Sequence, residues 1–583
     1  MPRILRALAV LSGIALLSGC ATVTPMPQVA QVPELQKAEH NILRAKAPAT
    51  NGDKAAGLYL SAADISAKFI ERDPAAIGTP EESAQEKAAR TIYNQATAEL
   101  TALLSRPPGA STSSKAPPSL NDMWAAPRTI PGPDNPYLLS FATDPNFLQG
   151  TTWNPDYFNS LTPASEARRK VFKTWVTEDG IGGALVGAHG VQGSNAPRPL
   201  FLPRPVFVPA TSVVNFKPGP NGSRDARLTL YSPSRTATAE FDGKKYPISG
   251  DFSAPLATIP RRNELLEGLY GMLRVDRFKP RLGTYFYAPY TADKIPVIMV
   301  HGLMSTSQIW FDVANDLSED PVIRNRYQFW VFYYPTGNPI AYSALRLRQD
   351  IAKIKTTYQP KHGMILIGHS MGGLLSKMQV QNSGRHVWDV TFGKAADKLW
   401  PEFPDDSIIK QSLIFQANPD IKRVIFISTP HRGSGMATGI GAWTTRLISL
   451  PSWFLTEIPA HVLKTFLSVS GAKEFKIPTS VEGLSPKSPL LAALDDLKIE
   501  APFDSIIGDR GRSGDKWLSS DGVVPYSSSH LEGAQSELMV PTDHGAFKSS
   551  KAVGDIRRIL LDHLKEKQTD QKHERRNRAQ IPR

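Results

Sequence analysis

The 583-residue chain contains a single cysteine, Cys20, which excludes an intrachain disulfide. Beyond the first nineteen residues no apolar run approaches the ~20 residues that cross a bilayer, so no later transmembrane helix is expected. No His/Cys cluster has zinc-ligand spacing and no glycine-rich nucleotide loop is present, so neither a metal nor a cofactor is expected. No repeat of fixed period is found. The formal net charge is +13, yet the basic residues are dispersed, without an RNA-binding signature or a long basic helix. Nucleic acid is therefore not the expected partner; an anionic lipid surface suits the excess better. What remains is 41% hydrophobic and 21% charged, the balance of a globular body, and too long for one core. Two or three domains are expected.

Cys20 stands at an informative place. Arg3 and Arg6 form a short positive region, Ala7 to Gly19 are apolar or small, and Leu17-Ser18-Gly19-Cys20 closes the segment. This resembles a bacterial lipoprotein signal spanning residues 1–19, whose cysteine is lipidated. The resemblance implies attachment to the cell envelope through Cys20, stable because several acyl chains act together. Ala21 rather than Asp after the cysteine points to the outer membrane.

A tether and three helical patterns follow within residues 20–106, near 33–46, 53–71 and 80–104. A Pro/Gly/Ser/Thr-rich stretch, 107–120, reads as a linker. Residues 121–290 turn toward strands and loops, expected to pack on the domain that follows; Asp242-Gly243 suggests a hairpin. From 291 to 564 short apolar strands alternate with helical segments. The strands fall near 296–300, 329–333, 364–367, 423–428, 503–507 and 537–540. Such alternation argues for an α/β fold with a mostly parallel sheet, whose ligands bind beyond the carboxyl ends of the strands. The basic tail, 565–583, is expected to be disordered.

The chemistry centres on Gly368-His369-Ser370-Met371-Gly372-Gly373, directly after the apolar Met364-Ile365-Leu366-Ile367. Strand, Gly-x-Ser-x-Gly turn and helix are the context of a nucleophile elbow. Gly368 and Gly372 remove Cβ atoms that would clash on so sharp a turn, and Ser370 would project its hydroxyl at the carboxyl edge of the sheet.

With His301-Gly302-Leu303, Ser520-Asp521-Gly522-Val523, Thr542-Asp543-His544 and Thr429-Pro430-His431-Arg432-Gly433, residues from about 295 to 565 resemble an α/β-hydrolase of the esterase/lipase type, close to bacterial lipases and inositol deacylases. The resemblance implies a triad of Ser370, Asp521 and His544, and an oxyanion hole from the amides of Leu303 and Met371. His301, His369 and His431 would then be structural or positioning residues. Asp504 and Asp509 stay open as alternative acids, and His530 as an alternative base. No metal is required by such a mechanism. Apolar residues such as Trp443, Trp453 and Phe466 between 435 and 494 suggest a cap or lid over an acyl site. A second insertion, 382–421, carries Trp388, Phe392, Trp400 and Phe403 and would add to it. The resulting expectation is a membrane-anchored serine esterase or lipase acting on an apolar ester, with no expectation as to oligomeric state. Acyl transfer by the same triad, and a scaffold lipoprotein with a vestigial hydrolase domain, stay open.

Overall fold

The computed structural model describes residues 32–70, 74–80, 82–105, 126–148, 158, 160–189, 206–435, 468, 479–511 and 514–579. Cys20 with its signal segment, the linker at 107–120, most of the cap at 435–494 and residues 580–583 lie outside these.

Seven strands form the sheet that carries the candidate site. Numbered within it, they are β1 (Gly283–Phe286), β2 (Ile295–Val300), β3 (Tyr327–Tyr333), β4 (Met364–His369), β5 (Ile421–Ile427), β6 (Phe503–Asp509) and β7 (Glu537–Pro541). The order is β1-β3-β2-β4-β5-β6-β7, and every pair is parallel except β1 with β3. Alternate strand residues face two cores. Ile298, Val300, Trp330, Phe332, Leu366, Val424 and Phe426 join one, under the helices Ile340–Tyr358 and Met371–Lys377. Val297, Met299, Val331, Ile365, Ile367, Ile425 and Ile506 join the other, under Trp310–Leu317 and the C-terminal helix. Burial on both faces explains the apolar runs 297–300, 329–333, 364–367 and 424–427.

The upstream helices Pro33–Lys46, Gly52–Ala67 and Ala84–Leu104 pack with a six-stranded, largely antiparallel sheet. The second helix stops at Ala67, short of 71. The third starts at Ala84, where Ser83 and Glu86 form a reciprocal capping box, rather than at 80. Tyr93 lies in the interface, its hydroxyl donating to Val214 O and accepting from Val214 N, both at 2.8 Å. Asp64 pairs with Arg224 across the same contact. The Asp242-Gly243 turn closes the hairpin of Thr238–Phe241 and Lys244–Pro247 with both residues at positive φ, the turn that matches strand twist.

Three expectations need correction. The sheet of the candidate site begins before residue 291, because the four-residue edge strand β1 forms by pairing with β3 rather than from an apolar run of its own. The region 121–290 also carries an amphipathic helix, Glu264–Leu273, in a stretch read as strand and loop. Finally, the C-terminal helix runs Ser550–Ala579, well into the tail expected to be disordered. Glu566 pairs with Arg423 and Lys567 donates to His362 O, which ties down the turn beyond Leu564.

The second insertion closes on itself. Trp388 is buried among Phe392, Trp400 and Phe403, and Lys410 lies over the Trp400 ring at 4.0 Å. Of the first insertion, Ser480–Gly483 and Pro489–Asp495 are helical.

Candidate active site

Ser370 sits between β4 and the helix Met371–Lys377 with φ 53 and ψ −126, a strained conformation for a residue with a Cβ. Its neighbours make the turn possible. A Cβ on Gly372 would lie 2.3 Å from Val300 O, and one on Gly368 2.5 Å from Gly373 Cα. The loops after β2 and β5 hold the same kind of strain at Met304 and Ser428, so positive φ recurs at three strand ends around the site.

The carboxyl edges of β4 and β7 bring Ser370 and His544 together. Ser370 Oγ lies 2.9 Å from His544 Nε2, and His544 Nδ1 lies 2.6 Å from Asp521 Oδ2. Asp521 comes from the loop after β6 and is 1% exposed. Its other oxygen accepts from Val523 N at 2.8 Å and Val524 N at 2.7 Å. Burial alone would raise this carboxyl's pKa; the His544 contact and the two amides outweigh it and hold the carboxyl below its ordinary value. An ionised Asp521 keeps the proton of neutral His544 on Nδ1, leaving Nε2 to accept the Ser370 hydroxyl.

No protein-family model matches the chain, and no curated protein matches it. Among solved structures, it is similar to a Bacillus licheniformis lipase in its mature form, at 17% identity over 48% of this chain and 97% of that one, with a TM-score of 0.29. It is also similar to a Staphylococcus hyicus lipase (13% identity, 48% and 97% covered, TM-score 0.30) and to lipase 1 of Pelosinus fermentans (14% identity, 46% and 98% covered, TM-score 0.29).

Gly302 presses against the serine: a Cβ there would meet Ser370 Cβ at 2.9 Å. Leu303 is the next residue on the same loop after β2. Met371 opens the helix behind Ser370, where a first-turn N–H has no intrahelical acceptor. His301 is fully buried. Its Nε2 accepts from Tyr334 N at 3.3 Å, its Nδ1 faces Gly302 O at 3.1 Å, and its ring stacks on Tyr334. Burial lowers its pKa to about 4, so it is a neutral brace for the loop.

The rival residues are engaged elsewhere. Asp504 forms a two-pronged ion pair with buried Arg423, at 2.7 and 3.2 Å, and accepts from Ser536. Asp509 accepts from Gly511 N in its own turn. His530 lies between Glu537 and Glu532 and stacks on Tyr526. His431 is buried edge-on to Phe426, and burial drives its pKa well below the ordinary range. Among the described residues no group of three or more His, Cys, Asp or Glu side chains is placed to hold a metal ion.

One relationship escaped the sequence. His369 donates Nε2–H to the backbone carbonyl of His544 at 2.8 Å, and its ring packs between His544 and Phe547. Its adjacency to Ser370 was visible; its partner 175 positions away was not.

Proposed function

We propose that this chain is a serine hydrolase of carboxylic esters, built on an α/β-hydrolase fold and anchored in the bacterial envelope, at the outer membrane, through lipidated Cys20. The observation that carries the catalytic reading is the continuous hydrogen-bonded line from Ser370 Oγ through His544 to Asp521. A serine hydroxyl becomes a useful nucleophile only when a base receives its proton, and the base must be held in the right tautomer.

In acylation, Ser370 Oγ forms a bond to the ester carbonyl carbon while its proton passes to His544 Nε2. The developing imidazolium is stabilised by Asp521. The amides of Leu303 and Met371 receive the negative oxygen. Collapse breaks the carbon–alkoxide bond, and His544 returns its proton to the departing alcohol. In deacylation, water forms the new bond to carbon as His544 takes its proton; the Ser370–acyl bond then breaks and Oγ regains a proton. The acid and the alcohol are the products. An apolar acyl group suits the apolar composition of the insertion at 435–494.

Labelling with a fluorophosphonate probe tests the reading. The native chain should react covalently, and Ser370→Ala should not. A native chain that stays unlabelled would overturn the assignment.

A further inference from the structure

The helix Glu264–Leu273 has two unlike faces. Gly268, Gly271 and Met272 are turned inward and buried. Gly268 lies so close to the loop after β2 that a Cβ would stand 2.1 Å from Met304 O, and Glu264 accepts from Ser305 Oγ at 3.2 Å. Leu269 and Leu273 pack with Leu303 and Met304 around Met272 and Val481. The helix is thus seated on the same loop whose Gly302 touches Ser370.

Among the described residues the outward face is apolar and uncovered. Leu265 is 65% exposed, Leu266 50% and Tyr270 56%. Among the described residues seven large hydrophobic side chains are exposed, and three of them are on this one helix. Isolated exposed leucines need no explanation, but a cluster on one helix face marks a contact surface. Its surroundings indicate what it meets. Between residues 261 and 281 six basic residues stand against three acidic ones. Arg261 is tied to Asp312, and Arg262 and Arg281 share Glu267. Arg274 and Arg277 are exposed, with no ion pair among the described residues. An apolar helix face bordered by free cations has the chemistry of a helix lying in the headgroup region of an anionic bilayer.

We propose that Leu265, Leu266 and Tyr270 dock this chain on an anionic lipid surface, with Arg274 and Arg277 contacting headgroup phosphates, so that the helix seated on the loop beside Ser370 lies at the lipid. The docking is a property of the surface alone; only its value for substrate capture rests on the esterase reading.

The test uses the full chain carrying Cys20→Ser, which removes both the candidate lipid anchor and the only thiol. Leu266→Cys then accepts an environment-sensitive fluorophore, and Leu43→Cys, on an exposed site of a distant helix, provides the control. On phosphatidylglycerol vesicles the probe at 266 should brighten about twofold or more and shift to the blue, as expected for transfer into the acyl boundary. The probe at 43 should not respond, and phosphatidylcholine vesicles should give a weaker response. Adding Arg274→Glu and Arg277→Glu should abolish it. A silent probe at 266 in a chain that still cleaves a water-soluble ester would overturn the docking face and leave the hydrolase reading intact. Brightening in a chain that cleaves no ester would do the reverse. Equal responses at 43 and 266 would overturn the proposal. So would a probe already shielded without vesicles; loss of that shielding on dilution would identify a second copy as the cover, and persistence a segment of the same chain.

Discussion

His369 Nε2–H is bonded to the carbonyl oxygen of His544 at 2.8 Å, so the residue preceding the candidate nucleophile fixes the backbone of the candidate base. Burial and the neighbouring His544 lower the pKa of His369 to about 3, which keeps it a neutral donor. His369→Phe would fill the same space against Phe547 and lose only the bond. Since such a bond contributes on the order of 1 kcal/mol, kcat should fall about five- to tenfold with KM nearly unchanged. Steady-state kinetics on a water-soluble ester measures this. A change confined to KM would assign His369 to substrate contact instead.

The two buried aspartates should separate cleanly. Asp521→Asn would favour the wrong His544 tautomer and lower kcat by about 10⁴. Asp504→Asn would remove the buried carboxylate from Arg423, leaving it the half-exposed Glu566, and cost roughly 1–3 kcal/mol of stability with little effect on kcat. Urea denaturation and kinetics on both variants give the comparison, and the opposite pattern would make Asp504 the acid.

Gly302→Ala places a methyl group against Ser370 Cβ, 2.9 Å away, with His369 Nδ1 at 3.1 Å on the other side. Overpacking of this kind costs about 1–3 kcal/mol. Ser370 Cβ can move only with its backbone, which displaces the nucleophile, so the loss should be read in a reduced fluorophosphonate labelling rate as well as in melting temperature.

Stability should fall in mild acid. The buried imidazoles of His301 and His369 have folded pKa values of about 4 and about 3, both below the ordinary 6.5. The unfolded chain therefore binds more protons as pH drops below 6.5. The contribution of these groups is complete above that value and is lost progressively toward pH 4, at about 1.4 kcal/mol per pH unit per group. Asp521, also lowered, adds a loss at still lower pH as its folded pKa is crossed. Urea midpoints between pH 8 and 4 test this. His301→Asn should flatten the slope between 6.5 and 4 by about one proton.

Much of the candidate site was legible because it is local. The apolar run of β4, the glycines around Ser370 and the positions of Asp521 and His544 after late strands each follow from a few adjacent residues. Double-sided burial gave β2, β3, β4 and the second half of β5 their unbroken apolar signature. Less was legible where a segment owes its form to distant partners. Strand β1 exists through its pairing with β3, and the helix beyond Leu564 is tied down by Arg423 and His362.

The choice among acids belonged to the same category. The neighbours Gly522 and Val523 favoured Asp521 by resemblance alone and left Asp504 and Asp509 open; the contact with His544 depends on the fold. Composition and spacing by themselves determined that a serine would sit on a strained turn at the edge of a mostly parallel sheet. Only tertiary structure decided which carboxylate and which imidazole reach it, because Asp504 is consumed by Arg423 and His530 by two glutamates. Backbone preference is encoded residue by residue, whereas a hydrogen bond across 174 positions exists only when the whole sheet has closed.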